Sequence, residues 1–229
     1  MKALVYKEFK LAMHPICYIF IMAFPFMILI PSYPIAIGFI YVLTCYPVLF
    51  LGANKGQQSN DLLFSTLLPV RKKDIVLARI ITVVIMQIAF IIIMSLIYPL
   101  ASLIRDSINN QALITNQTPP VDVGFGLDAY VSTLAFAIVG YAIADLIYFA
   151  IYYKKGKSIV ASTLLTILGF ILYITIFTVI LPFVPKYDEF FSSNIWLQFA
   201  FLVSSIFASI FLHFIVYKVS SKELERVDF

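Results

Sequence analysis

Residues Ile80–Ile104 read IITVVIMQIAFIIIMSLIYPLASLI, a run without a charge, closed at one end by Arg79 and at the other by Arg105. A helix needs about 20 such residues to cross roughly 30 Å of hydrocarbon. Five further runs of comparable length flank it in the chain: Pro15–Pro31, Pro34–Ala53, Leu127–Tyr153, Ser158–Phe183 and Asn194–Tyr217. The pattern predicts an all-α integral membrane protein with six transmembrane helices.

The charges between the runs set the orientation. With the N-terminus inside, Lys2, Lys7, Lys10, Lys55, Arg71, Lys72, Lys73, Arg79, Lys154, Lys155, Lys157, Lys218, Lys222 and Arg226 fall in the cytoplasm, and only Arg105 and Lys186 fall outside. Cytoplasmic loops carry the excess of Lys and Arg, so the bias favours cytoplasmic N- and C-termini. The net charge of +4 is thus a topology signal that suits an anionic inner leaflet, and not a footprint for nucleic acid.

Composition agrees. The chain of 229 residues is 62% hydrophobic and 12% charged, with a mean hydropathy of +0.99, where a soluble domain carries about 25% charge. Almost all of it is committed to spans and short loops, which excludes a soluble catalytic domain. Cys17 and Cys45 both fall within spans and read as small apolar filler rather than a disulfide. No cleavable signal peptide is visible, because the first apolar run passes straight into the tight turn Pro31-Ser32-Tyr33-Pro34.

Met1–Met13 gathers Val5, Tyr6, Phe9, Ala12 and Met13 on one helical side, with Lys7, Glu8 and Lys10 outside that cluster. Such a segment suits a helix lying in the membrane interface. Pro25 within the first span predicts a kink. Arg105–Gly126 is the longest external segment; it contains Pro119-Pro120 and the acceptor-like triplet Asn116-Gln117-Thr118. The halves of the chain do not repeat, which disfavours an inverted-repeat secondary transporter.

The cytoplasmic stretch 54–79 carries the most specific pattern. Asn60 and Asp61 are helix-capping residues. Leu63, Phe64, Leu67 and Leu68 share one face at helical spacing, and Pro69 stops the helix. Arg71-Lys72-Lys73-Asp74 follows and leads into the third span. The short apolar face can lie on lipid, pack on this chain or dock into a soluble partner. The run Leu67-Leu68-Pro69-Val70-Arg71-Lys72-Lys73-Asp74-Ile75-Val76-Leu77-Ala78-Arg79 resembles the loop of type-2 ABC permeases, six-span exporter subunits that work with a separately encoded ATPase. The basic N-terminal helix, the six spans and the charged tail Lys218–Phe229 extend the resemblance along the chain. In size and loop pattern the chain is similar to small bacterial permeases that export amphipathic cytolytic peptides such as phenol-soluble modulins.

That resemblance implies a coupling helix over 60–69, with Asp61, Leu63, Phe64, Leu67 and Leu68 on the ATPase and Arg71, Lys72 and Lys73 flanking it. It implies a second permease copy, identical or not, an amphipathic or hydrophobic cargo, and a place in the bacterial plasma membrane. No cofactor is expected in this chain, since ATP and Mg belong to the partner. Gly156-Lys157-Ser158 looks like the end of a phosphate-binding loop, but the glycine required five residues earlier is Ile151.

Lone polar residues inside spans need partners or a wet cavity. At 1.5 Å per residue, Gln87, Asp145 and His213 lie roughly 10, 12 and 6 Å from the inner boundary, so all three occupy the inner half of the bilayer. They either form one polar network lining the inner cavity, or Asp145 bonds hydroxyls such as Tyr141 and only fastens helices. His14 and Gln198 lie near boundaries and read as interface anchors. The chain holds 22 Phe, 14 Tyr and 1 Trp; Phe20, Phe24, Phe26, Phe39, Phe136 and Phe170 lie deep, on lipid or on a greasy path. Two histidines and one deep carboxylate, with no paired glutamates and no zinc pattern, leave little basis for an intramembrane enzyme. An ion-coupled transporter or channel using Asp145 as its titrating group is the alternative to the exporter.

Overall fold

The computed structural model describes residues 2–12, 16–29, 69–114, 130–154, 159–176 and 194–226. Within them every regular element is helical. Helix α1 spans Lys2–Lys7 and continues as a π-helical turn, Glu8–Ala12. Helix α2 (Ile16–Ala23) tightens into a 3₁₀ segment, Phe24–Leu29. The change falls at Pro25, which lacks the N–H that a continuing α-helix would use. Then come α3 (Lys72–Ile114), α4 (Tyr130–Lys154), α5 (Ile159–Thr175) and α6 (Ile195–Glu225).

Among the described residues, three helices are long and apolar enough to cross a membrane: α3 over Lys72–Ile108, α4 and α6. Residues Cys17–Leu29 and Ala161–Thr175 form shorter apolar helices. The second apolar run, 34–53, lies outside the described residues, as do Asp61, Leu63, Phe64, Leu67 and Leu68, the Gly156-Lys157-Ser158 turn and Asn116.

Two boundaries differ from the sequence reading. The external segment expected from Arg105 is helical as far as Ile114, because no Gly or Pro interrupts 105–114. The tail expected from Lys218 stays helical to Glu225, for the same reason. Local chemistry accounts for the helix starts. Arg71 clamps both carboxylate oxygens of Asp74, at 3.1 and 3.3 Å, and Asp74 lies in the first turn of α3, where the helix dipole favours an acid. Asn194 caps α6 by accepting from the Trp196 amide at 3.0 Å.

Helix α4 is the centre of the bundle, buried along much of its length and packed most extensively on α6, then on α5. Its contact with α5 is tight. A Cβ on Gly140 would come within 2.6 Å of the Phe170 ring and 2.9 Å of Tyr173. Tyr173 stacks on Phe136 at 4.3 Å and donates to the Phe136 carbonyl at 3.0 Å. Of the deep aromatics, Phe136 and Phe170 are buried, whereas Phe26 is exposed. Helix α3 rests on the N-terminal segments and on α6, and makes few close backbone approaches to α4. Outward rows of large apolar side chains run along α3, α5 and α6, among them Leu96, Leu103, Leu168, Leu172, Phe207 and Phe211. Burial cannot explain such rows, but a hydrocarbon surround does.

Candidate functional site

Side chains bridge the sparse gap between α3 and α4 at three levels. Their α3 members are Arg79, Gln87 and Ser95, eight residues apart, or about 12 Å per step.

The first level joins the basic helix ends. Arg79 donates to Glu8 through Nε at 2.9 Å and Nη2 at 3.5 Å, and its Nη1 donates to the Tyr152 hydroxyl at 3.2 Å. Both charged side chains are almost fully buried, at 2% and 4% exposure. The start of α3, the end of α4 and the N-terminal segment therefore meet here. An exposed pair, Lys73–Glu225 at 3.3 Å, brings the end of α6 to the same side. Lys7, Arg71, Lys72, Lys73, Arg79, Lys154, Lys218, Lys222 and Arg226 all belong to these converging segments. Among the described basic residues of α3, α4 and α6, Arg105 alone lies toward the other end. The sequence had offered Glu8 as part of the polar side of an interfacial helix; the structure instead buries it, because the π-helical turn that begins at Glu8 turns it toward Arg79.

The second level is the most polar point in the hydrocarbon. Gln87 Nε2 donates to both oxygens of Asp145, each at 3.2 Å. His213 Nε2 lies 3.0 Å from Asp145 Oδ2, and its Nδ1 lies 2.8 Å from the Ser209 carbonyl. The structure therefore brings Gln87, Asp145 and His213, from three helices, into one bonded group, with Asp145 wholly buried. Nδ1 is also 3.3 Å from the Ser209 hydroxyl, so the imidazole links its own helix turn to the carboxylate. Bonded from both α3 and α6, Asp145 has the polar partners that a carboxylate in an apolar surround requires.

The third level is Ser95 with Tyr130, whose hydroxyls are 2.9 Å apart, under a stack of Tyr98 on Tyr130 at 4.2 Å. Ser95 also donates to the Ile91 carbonyl at 2.8 Å.

A cavity of about 660 Å³ opens between α3 and α6, with Ile138 and Tyr141 of α4 as its floor. Gln87, Ser209 and His213 supply polar points on a wall otherwise dominated by isoleucine. Asp145 stands behind them and is not on the wall. Ile85, Ile88, Ile206, Ile210 and Phe214 line the cavity while staying exposed on the outer face, so it opens sideways as a groove.

No known protein family, curated protein or solved structure matches this chain.

Among the described residues no three His, Cys, Asp or Glu side chains converge as a metal site. Cys17 is a buried free thiol. Arg71, Lys72 and Lys73 stand at the head of α3; Arg71 is held by Asp74, whose carboxylate raises the guanidinium's proton affinity further. Gln198, expected at an interface, is buried in the first turn of α6. His14 lies outside the described residues. Sequence reasoning missed the Glu8–Arg79–Tyr152 cluster, whose members are 71 and 73 residues apart. No local pattern marks such a pairing.

Proposed function

We propose that this chain is the permease subunit of an ATP-driven exporter of the type-2 ABC class, with six spans and both termini in the cytoplasm of a bacterial plasma membrane. It pairs with a second permease around the path of an amphipathic or hydrophobic cargo. A separate ATPase drives it through the 60–69 helix, and the chain itself is not an enzyme.

The observation that carries this reading is the convergence at the head of α3. The stretch 67–79, which resembles the permease loop, ends at Arg79. Arg79 is buried against Glu8 and Tyr152, and Lys73 is bridged to Glu225. A push delivered just before α3 therefore reaches the N-terminal segment, α4 and α6 together. Buried charge pairs are stiff links, since parting them exposes charge to a low dielectric. The polar group lies eight residues further along α3, and the groove wall runs past it from Leu77 to Ile92, within reach of that displacement.

The test is Phe64→Asp and Leu67→Asp in the full chain. Both variants should reach the membrane in normal amounts and lose ATP-driven export. Export unchanged in both sinks the coupling assignment. Transport that continues without ATP and collapses with the proton gradient would instead point to ion coupling through Asp145.

A further inference from the structure

The groove between α3 and α6 is long for its volume, which limits what it can enclose. Along α3 its wall runs from Leu77 to Ile92, about 22 Å at 1.5 Å per residue. A helical peptide of that length, about 10 Å across with side chains, occupies about 1,700 Å³. The cavity holds about 660 Å³. A single hydrocarbon chain, about 4–5 Å across at carbon–carbon contact distances, needs about 300–400 Å³ over the same length.

Charge orients such a chain. Halfway along the wall, Asp145 is wholly buried behind Gln87 and His213 and bonded to both, so the groove presents no free carboxylate to a ligand. At the basic end the wall finishes with Phe214 and Tyr217. Lys218 follows, its Nζ 4.6 Å from the Phe214 ring centroid. The nearby acids are already paired, Glu223 with Arg226 and Glu225 with Lys73.

We propose that this groove binds one acyl chain of an anionic single-chain amphiphile, its head group at Lys218 and its tail along Ile88, Ile92, Ile206 and Ile210. The inference deepens the exporter reading by naming the cargo class, an acyl amphiphile in place of a helical peptide. Its test reads binding alone, so a chain without any ATPase partner would still give the result.

The experiment uses the full chain in phosphatidylcholine nanodiscs with two photoactivatable probes, a diazirine palmitate and a diazirine monoacylglycerol, with labelled residues mapped by mass spectrometry. Labels from both probes should fall in 77–92 and 206–217, and Ile210→Trp, which fills the groove, should remove them. Lys218→Glu, at an exposed position, should cut palmitate labelling about fivefold and leave monoacylglycerol unchanged, one basic side chain being worth about that factor against an anionic head. Labelling spread equally over the outward face of α5 at Leu164, Leu168 and Leu172 overturns the site. Palmitate labelling untouched by Lys218→Glu overturns the head-group assignment. Displacement of palmitate by an equimolar amphipathic helical peptide overturns the size argument.

Discussion

Asp145→Asn and His213→Leu should behave very differently, although each removes one titratable group. In Asp145→Asn the amide can donate to His213 Nε2 across the present 3.0 Å contact, and its carbonyl can still accept from Gln87 at 3.2 Å. One of the two Gln87 contacts is lost, which costs about 1 kcal/mol. His213→Leu leaves Asp145 without its imidazole in an apolar surround, and breaking one side of a buried pair costs about 3–5 kcal/mol. An ordinary hydrogen bond between membrane helices averages only about 0.6 kcal/mol, and at most about 1.7, so the two magnitudes separate cleanly. The double variant Asp145→Leu/His213→Leu leaves mainly the Gln87 amide to satisfy, about 1–3 kcal/mol. It should therefore be more stable than His213→Leu alone. The assay is unfolding of the full chain in mixed detergent micelles, followed by far-UV circular dichroism. Equal losses in Asp145→Asn and His213→Leu, or a double variant less stable than His213→Leu alone, would refute the reasoning that the two side chains form a buried pair.

Three further substitutions probe the rest of the frame by the same assay. Glu8→Ala leaves Arg79 buried at 2% exposure without its carboxylate and should cost about 3–5 kcal/mol; a loss below about 1 kcal/mol would mean that the pair does not anchor the N-terminal segment. Gly140→Val drives a side chain into Phe170 and Tyr173, already 2.6 and 2.9 Å from a single added carbon, and should destabilise by about 1–3 kcal/mol; wild-type stability would show that α4 and α5 are not so closely packed. Lys73→Ala breaks a pair that is 52% and 48% exposed and should change stability by less than about 1 kcal/mol, with the difference vanishing in high salt; a larger, salt-insensitive loss would contradict its placement at the surface.

Much of the frame could be read from sequence because hydrocarbon leaves few choices. An uncharged run such as 80–104 has to be helical, since its backbone finds no water to bond. Gln87, Asp145 and His213 stood out for a related reason: each interrupts an apolar run that tolerates no unpaired polar group. Helix ends were less legible. Residues 105–114 are polar enough to look like a loop, yet nothing in them breaks a helix, so α3 continues to Ile114. Glu8 was read on the polar side of an interfacial helix, between Lys7 and Lys10, and Arg79 as one of the cytoplasmic charges that close an apolar run. Their pairing depends on a π-helical turn and on a partner 71 residues away, and neither leaves a periodic trace. The sideways groove was also hidden, because isoleucines facing a cavity and isoleucines facing lipid have the same spacing.

If a separate ATPase drives this chain, as proposed, the two proteins should be found together. The full chain, tagged and extracted from its native host in mild detergent, is assayed for co-purifying proteins and for ATP hydrolysis. A stoichiometric ATPase should accompany the wild type and be lost from Phe64→Asp and Leu67→Asp. A chain that transports while no ATPase accompanies it would contradict the proposed coupling.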